Sequence, residues 1–434
     1  MISLLLDKKE HFRKEIRRQK NETIFKQKRA LYQQPYNQMS SQVILNKIQK
    51  FEYCDELFKQ IADMDNPPKI IKDLVQFLSQ TQSLETIKEG LRCLNNQLYY
   101  FDDFDNQENE IFLLLQKYFQ NDDYILRKRT LMCLGNLLYN CHQFIIPAQN
   151  IFFKEELLHE YSEEYSFVTN FLTQFGNYSD IIKSIQFLSE IIMINPNDMA
   201  FESVKSIFEN CTPLDADELI EQNFILPSSR LLIHAKENKI AYEALLAILN
   251  KANDSTKIGY YQRGLNQLIT YFLDHPLKKE QGFQLMLYFV SKFDDSEENL
   301  VIDSLFSIFE GTKKLHQLLM QDCNPMKLLI ICNSIENGSM AIFKEFLDLN
   351  IISNIFIPYL SFSDDHSSIQ IIISAIDSLL QRDEMSGEKF QYVKKAFNNE
   401  QFRAALERNI YNVGDRVETN SKIDSILNIL NDFQ

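Results

Sequence analysis

The chain has 434 residues, 45% of them hydrophobic and 24% charged, with a formal net charge of −15, the balance of an ordinary folded protein. Gly and Pro number ten each, too little turn chemistry for an all-β fold, whose hairpins need such residues at fixed places. No stretch approaches the ~18 apolar residues that span a bilayer, and MISLLLDKKE meets charges too early for a secretory leader. The seven cysteines are scattered and odd in number with no C-x-x-C. They are expected to be small core residues of a reducing compartment, in an intracellular protein.

Charge is distributed unevenly. Residues 1–30 hold ten Lys/Arg and four Asp/Glu, a local +6, which leaves −21 on the other 404 residues. Residues 1–31 therefore form a basic arm, with Arg13, Lys14, Arg17, Arg18, Lys20, Lys28 and Arg29 as its cations. Phe12 and Ile16 lie one helical turn apart, but so short a segment buries little surface alone. Residues 32–45 contain YQQPYNQMSSQ, polar and without apolar periodicity, and are expected to be a linker. From 46 to 434 apolar residues recur at helical spacing. In LETIKEGLRCLNNQLYYF, Leu84, Ile87, Leu91, Leu94 and Leu98 share one face; in SSIQIIISAIDSLLQRDE, Ile369, Ile372, Ile373, Ile376, Leu379 and Leu380 do the same. No segment of strand period competes in length.

The helical units also resemble one another. GLRCLNNQLYY and TLMCLGNLLYN align as x-C-L-x-N-x-L-Y, which sets Asn96 and Asn136 40 residues apart. Asn250 and Asn333 are 83 apart, close to two such periods, while Asn136 to Asn250 is 114, short of three. The array is thus irregular, with a shortened repeat expected near 200–240. A period near 40 in helices predicts an all-α solenoid of stacked armadillo or HEAT units.

Arm, linker and array in this order resemble the importin-α family, which implies an all-α armadillo-repeat solenoid, a right-handed superhelix preceded by a flexible basic arm. FRKEIRRQKNETIFKQKR is similar to that family's importin-β-binding arm, TLMCLGNLLYN to its W-A-L-G-N-I-A-G segment, and IICNSIENGSMAIFKEFLDLNIISNIFIPYL to its W-A-I-T-N-A-T-S-G-G segment. IQIIISAIDSLLQRDE resembles the penultimate repeat, and AALERNIYNVGDRVETNSKIDSILNILNDF the terminal helices. The resemblance implies an adaptor that clamps a basic nuclear-localisation segment in an armadillo groove, docks an importin-β-like carrier through its arm, and is recycled by an exportin.

The departures are equally specific. The family groove carries a ladder of Trp and Asn four residues apart, and this sequence has no Trp. Arg92, Met132, Leu246 and Leu329 stand in the ladder Trp positions before Asn96, Asn136, Asn250 and Asn333; the remaining pairs read Gln186/Glu190 and Asp303/Ser307. Asn140 stands where the family has an Asp for its main lysine pocket, which weakens that contact. Asp102, Asp103 and Asp105, with Glu190, are the acids expected to compensate by holding a basic cargo. The plainer alternatives are a solvated basic tail, helix-end asparagines and solvated acidic loops. An EF-hand starting at Asp103 fails, since position 6 is Glu108 and not Gly.

Three functions remain open on the sequence: the adaptor, an armadillo scaffold that has lost signal binding, and, more weakly, a nucleic-acid-binding solenoid. The acidic body and the lack of aromatic interleaving in the arm disfavour the last. No H-E-x-x-H, G-x-S-x-G, P-loop or G-x-G-x-x-G occurs, and Cys141–His142 diverge by about 100° on a helix. The expectation is a protein that is not an enzyme, needs no cofactor or metal, and has no membrane partner.

Overall fold

Helical apolar stripes need a second surface to cover them, and the chain supplies it by stacking helices in two layers. In the computed structural model the described residues are 54–64, 67–175, 178–224, 227–290, 298–307, 313–363, 365–385, 396–412 and 417–431, and every regular element among them is helical. The basic arm and the linker lie outside the described residues. The chain packs as two compact units, residues 1–140 and 141–434.

In the first unit, α1 (Cys54–Ala62), α3 (Leu84–Tyr100) and α5 (Tyr124–Asn140) lie side by side, and α2 (Ile71–Gln80) and α4 (Glu108–Phe119) cover them as a second layer. The stripe expected on α3 is the core: Ile87, Leu91, Leu94 and Leu98 are buried, while Leu84, at the first turn, remains 38% exposed. Gly90 is where α2 comes closest, since a Cβ there would stand 2.5 Å from a methyl of Leu78.

The second unit begins with α6 (Ile145–Phe152), α7 (Ser162–Phe175), α8 (Tyr178–Ile194) and α9 (Asp198–Asn210). Next come α10 (Pro213–Leu219), α11 (Pro227–Ala235), α12 (Lys239–Lys251), α13 (Asp254–Tyr260), α14 (Asn266–Asp274) and α15 (Lys279–Val290). The unit continues through α16 (Glu298–Ser307), α17 (Lys313–Met320), α18 (Pro325–Asn337), α19 (Met340–Asp348), α20 (Ile357–Phe362), α21 (His366–Met385), α22 (Glu400–Asn412) and α23 (Val417–Asn431).

In one layer of this unit α7, α9 and α12 pack in turn, as do α15, α18, α21 and α23, and side-chain hydrogen bonds of Tyr242 and Tyr288 link α12 to α15; the other layer contains α6, α8, α11, α14, α20 and α22. Full repeats have three helices: a short first helix, a covering helix and a layer-forming third helix. In three of them a π-helical turn joins the first to the second, at Ile220–Phe224, Tyr261–Leu265 and Ile352–Phe356. The extra residue of such a turn bends the chain at the corner; in the second, Gly264 has φ +125, a backbone that L side chains rarely adopt.

The expected irregularity exists but falls earlier than 200–240. The repeat α8–α9 has only two helices, because two residues connect α7 to α8 and three connect α8 to α9, with no room for a first helix. Residues 213–251 hold a complete repeat. All six aliphatics expected on α21, from Ile369 to Leu380, are buried, each contributing roughly 1.5–3 kcal/mol.

Candidate functional site

The expected site residues are best followed by layer. Asn96 and Asn136 occupy equal positions on the neighbouring helices α3 and α5, twelve residues after each start. Both side chains are 4% exposed. The Asn96 amide donates to the carbonyls of Ile61 (2.9 Å) and Met64 (3.3 Å), fixing the chain where it leaves α1. Asn136 donates to Asn95, at its side-chain oxygen (2.9 Å) and its backbone carbonyl (3.3 Å). These two amides hold successive repeats together, so the donors that would clamp a cargo backbone are engaged within the chain.

The acidic loop after α3 is similarly engaged. Phe104 is fully buried and anchors it, and Asp105 and Asn106 take left-handed backbone, with φ of 56° and 59°, which Asp and Asn tolerate. Lys69 bonds Asp105 at 2.7 Å and Asp103 at 3.1 Å. The backbone N–H of Asp105, and then Lys69, pull the Asp103 carboxyl below its usual range, while the Asp105 hydrogen bond raises Lys69. Asp102 remains exposed.

Arg92, in the ladder Trp position, ion-pairs with Asp63 and lies 3.7 Å from Glu89, which also holds Arg129 at 3.0 Å. A guanidinium therefore stands where lysine recognition would want an indole or a carboxylate.

In the second unit, Asn250 is exposed on α12 and Asn333 half-buried on α18, both on helices of the α7–α23 layer. Glu190 is exposed on α8, in the other layer, so the structure separates it from the two asparagines. The Asp303/Ser307 pair sits on α16, and Asp303 accepts the backbone N–H of Ser339 at 3.1 Å.

The layer helix between Asn250 and Asn333 is α15, and its matching residue is one that the sequence analysis missed. The Tyr288 hydroxyl donates to Asn250 Oδ1 at 2.7 Å. In the opposite direction, the Tyr242 hydroxyl on α12 donates to Gln284 Oε1 on α15 at 2.9 Å and to the Gln281 carbonyl at 3.2 Å. Burial pushes both phenols up from their usual range, so they are protonated donors at neutral pH. A signal for Tyr288 was present, since it divides the 83-residue interval into 38 and 45; the search for Asn and Trp passed over it.

Leu246, Met326 and Leu329 are half-buried, and Gln284 is exposed. Glu243 is bonded by Lys205 and flanked by Lys239 at 3.6 Å, and Lys205 foremost holds its carboxyl below the usual range. Among the described residues no three His, Cys, Asp or Glu are placed to hold a metal ion, and no helix is long and apolar enough to cross a membrane.

The arrangement belongs to the armadillo/HEAT class of helical-repeat proteins. No protein-family model and no curated protein matches the sequence. Solved structures do resemble it. A crystal structure of an engineered protein superposes with a TM-score of 0.59 at 13% identity, over 89% of this chain and 98% of that one. A structure from work on a phosphorylation switch in the cadherin–beta-catenin interaction gives 0.57 at 13% identity, over 91% of this chain and 84% of that one. A slighter likeness, to a Kap95:Nup1 complex, has a TM-score of 0.37 at 11% identity, over 90% of this chain and 52% of that one. The likeness is one of fold, a solenoid of helical repeats.

Proposed function

We propose that this protein is a transport adaptor. It takes an extended cargo segment on the exposed side of its layer-forming helices, and docks an importin-β-like carrier through the basic arm, residues 1–31. One observation carries this reading: exposed or half-exposed amides, Asn250, Gln284 and Asn333, stand on three consecutive layer helices, α12, α15 and α18. Side-chain amides both donate to and accept from a peptide backbone, and a row of them fits an extended chain whatever its side chains. The arm supplies cations in keeping with an acidic carrier. The reading includes no catalytic step, shuttling between cytoplasm and nucleus, and return by an exportin.

A second reading is a scaffold that no longer binds lysine-rich signals. Arg92 in a ladder Trp position and the capture of Asp103 and Asp105 by Lys69 favour it. Calorimetry separates the two. The full chain is titrated with an importin-β-like carrier and with a lysine-rich signal peptide, alongside a variant with Arg17, Arg18, Lys28 and Arg29 changed to Ser. Carrier binding that the variant loses supports the adaptor. Equal carrier binding by both chains, or none by either, refutes it. Carrier binding without peptide binding selects an adaptor for cargo of another chemistry.

A further inference from the structure

The two tyrosine–amide pairs across α12 and α15 do more than link two helices. A primary amide can present either its oxygen or its NH2 to solvent, and a flip exchanges them. The Tyr288 hydroxyl donates to Asn250 Oδ1, and the Tyr242 hydroxyl to Gln284 Oε1. The Tyr288 hydroxyl gives its one proton to the Asn250 oxygen and turns that NH2 outward, whereas the Tyr242 hydroxyl shares its proton between Gln284 Oε1 and the Gln281 carbonyl. Among the described residues neither NH2 has a partner, although both side chains are exposed. The device occurs twice in opposite senses, once from α15 to α12 and once from α12 to α15, so it is not one chance contact.

The surroundings specify which side chains would accompany a bound backbone. Layer helices pack about 8–10 Å apart and an extended chain advances about 3.3 Å per residue, so each helix is matched by roughly three partner residues. Leu246 and Leu329 stand one helical turn before Asn250 and Asn333, Met326 stands one turn before Leu329, and all three are half-buried. The carboxylate on α12, Glu243, is occupied by Lys205 and Lys239, and Lys327 lies over the Phe283 ring at 5.1 Å. Glu336, half-buried three residues after Asn333, is the acid that would favour a lysine instead.

We propose that Tyr288 and Tyr242 are positioning residues that aim the NH2 groups of Asn250 and Gln284 at the carbonyls of an extended partner segment carrying aliphatic side chains. This rests on the adaptor reading and narrows the class of cargo. Leu246, Met326 and Leu329 offer aliphatic side chains a surface that removes them from water.

The test uses the full chain and acetylated nonapeptides with Leu, Lys or Glu at alternate positions and Ser between, read by fluorescence anisotropy. The Leu peptide is expected to bind about 10-fold more tightly than the Lys peptide. Tyr288→Phe keeps the ring and removes the hydroxyl, and is expected to weaken Leu-peptide binding about 5-fold with an unchanged melting temperature. Asn250→Ala should weaken it about 10-fold, and adding Tyr288→Phe to that variant should change little further, because Tyr288 acts through Asn250.

Preference for the Lys peptide overturns the aliphatic assignment. A Tyr288→Phe effect of the same size in both backgrounds, or one that follows a lowered melting temperature, overturns the positioning role. In either case the adaptor stands if a peptide binds. If no peptide binds the wild-type chain, peptide capture on this surface falls, and the positioning role falls with it.

Discussion

Asn96→Ala separates a structural asparagine from a recognition asparagine. Its amide donates to two carbonyls, those of Ile61 and Met64, and is 4% exposed. Each bond is worth about 0.5–1.5 kcal/mol net, and the carbonyls left behind are partly shielded, so the substitution should cost about 2 kcal/mol. The loss is local, because the bonds tie down the end of α1. Hydrogen exchange of 54–62 should therefore quicken by roughly 30-fold, the ratio equivalent to 2 kcal/mol.

Asn250→Ala is the control. It is exposed and accepts one hydroxyl, so it should cost under about 1 kcal/mol and leave exchange of α12 nearly unchanged. Peptide mapping of exchange by mass spectrometry reads both variants in the full chain, with the anisotropy assay in parallel. The expected pattern is loss of protection without loss of peptide binding for Asn96→Ala, and the reverse for Asn250→Ala. Wild-type exchange in Asn96→Ala together with weakened peptide binding would refute the assignment of Asn96 to structure.

Three further outcomes are expected. Gly282→Ala places a Cβ 2.8 Å from Leu273 Cγ and 3.2 Å from its backbone nitrogen; it should cost roughly 1–3 kcal/mol in urea unfolding and weaken nonapeptide binding, because α15 carries Gln284 and Tyr288. Asp103 has a depressed carboxyl pKa, so its contribution is present above the unfolded carboxylate range and is lost as pH falls through the lower folded value. Lys69→Met removes the second cause of that depression, and NMR titration should find Asp103 protonating at a higher pH than in the wild type. Cys93, Cys133 and Cys332 are buried with thiols pushed far up, and Cys323 is pushed up to about 11. Iodoacetamide at pH 8 should leave the first three unmodified in the native chain, and early labelling of Cys93 would contradict the packing of α3 against α5.

Much of the fold was legible because burial imposes periodicity. All six aliphatics assigned to one face of α21 are core, as are four of the five on α3; Leu84 escapes because the first turn of a helix is only partly covered. The repeat of Asn96 in Asn136 was legible too, but not its meaning. Spacing places a residue on a layer helix without saying whether its amide meets solvent or the preceding repeat. Glu190 was matched as half of the pair Gln186/Glu190, whose four-residue spacing fits a covering helix as well as a layer helix, and it lies on α8 in the covering layer. Asparagine is also a poor marker in this chain because it begins so many helices. Asn197, Asn238, Asn253 and Asn324 each accept backbone N–H groups as N-caps.

The absence of tryptophan has different consequences in the two units. In the first, the ladder Trp position before Asn96 is occupied by Arg92, ion-paired with Asp63. The polar groups that might have met a cargo are drawn into the chain: Asn96 onto α1, Asn136 onto Asn95, Asp103 and Asp105 onto Lys69. That surface has become an internal network, and networks of this kind lose much of their value when one member is removed. In the second unit, Leu246 and Leu329 stand four residues before Asn250 and Asn333, and Tyr288 reaches Asn250 from the neighbouring helix. A phenol is smaller than an indole and unlike it carries a hydroxyl that can engage an amide oxygen at 2.7 Å. A phenol on the adjacent helix therefore contributes amide orientation. The recognition proposed for this unit moves from the charge of a lysine to the backbone of an extended chain.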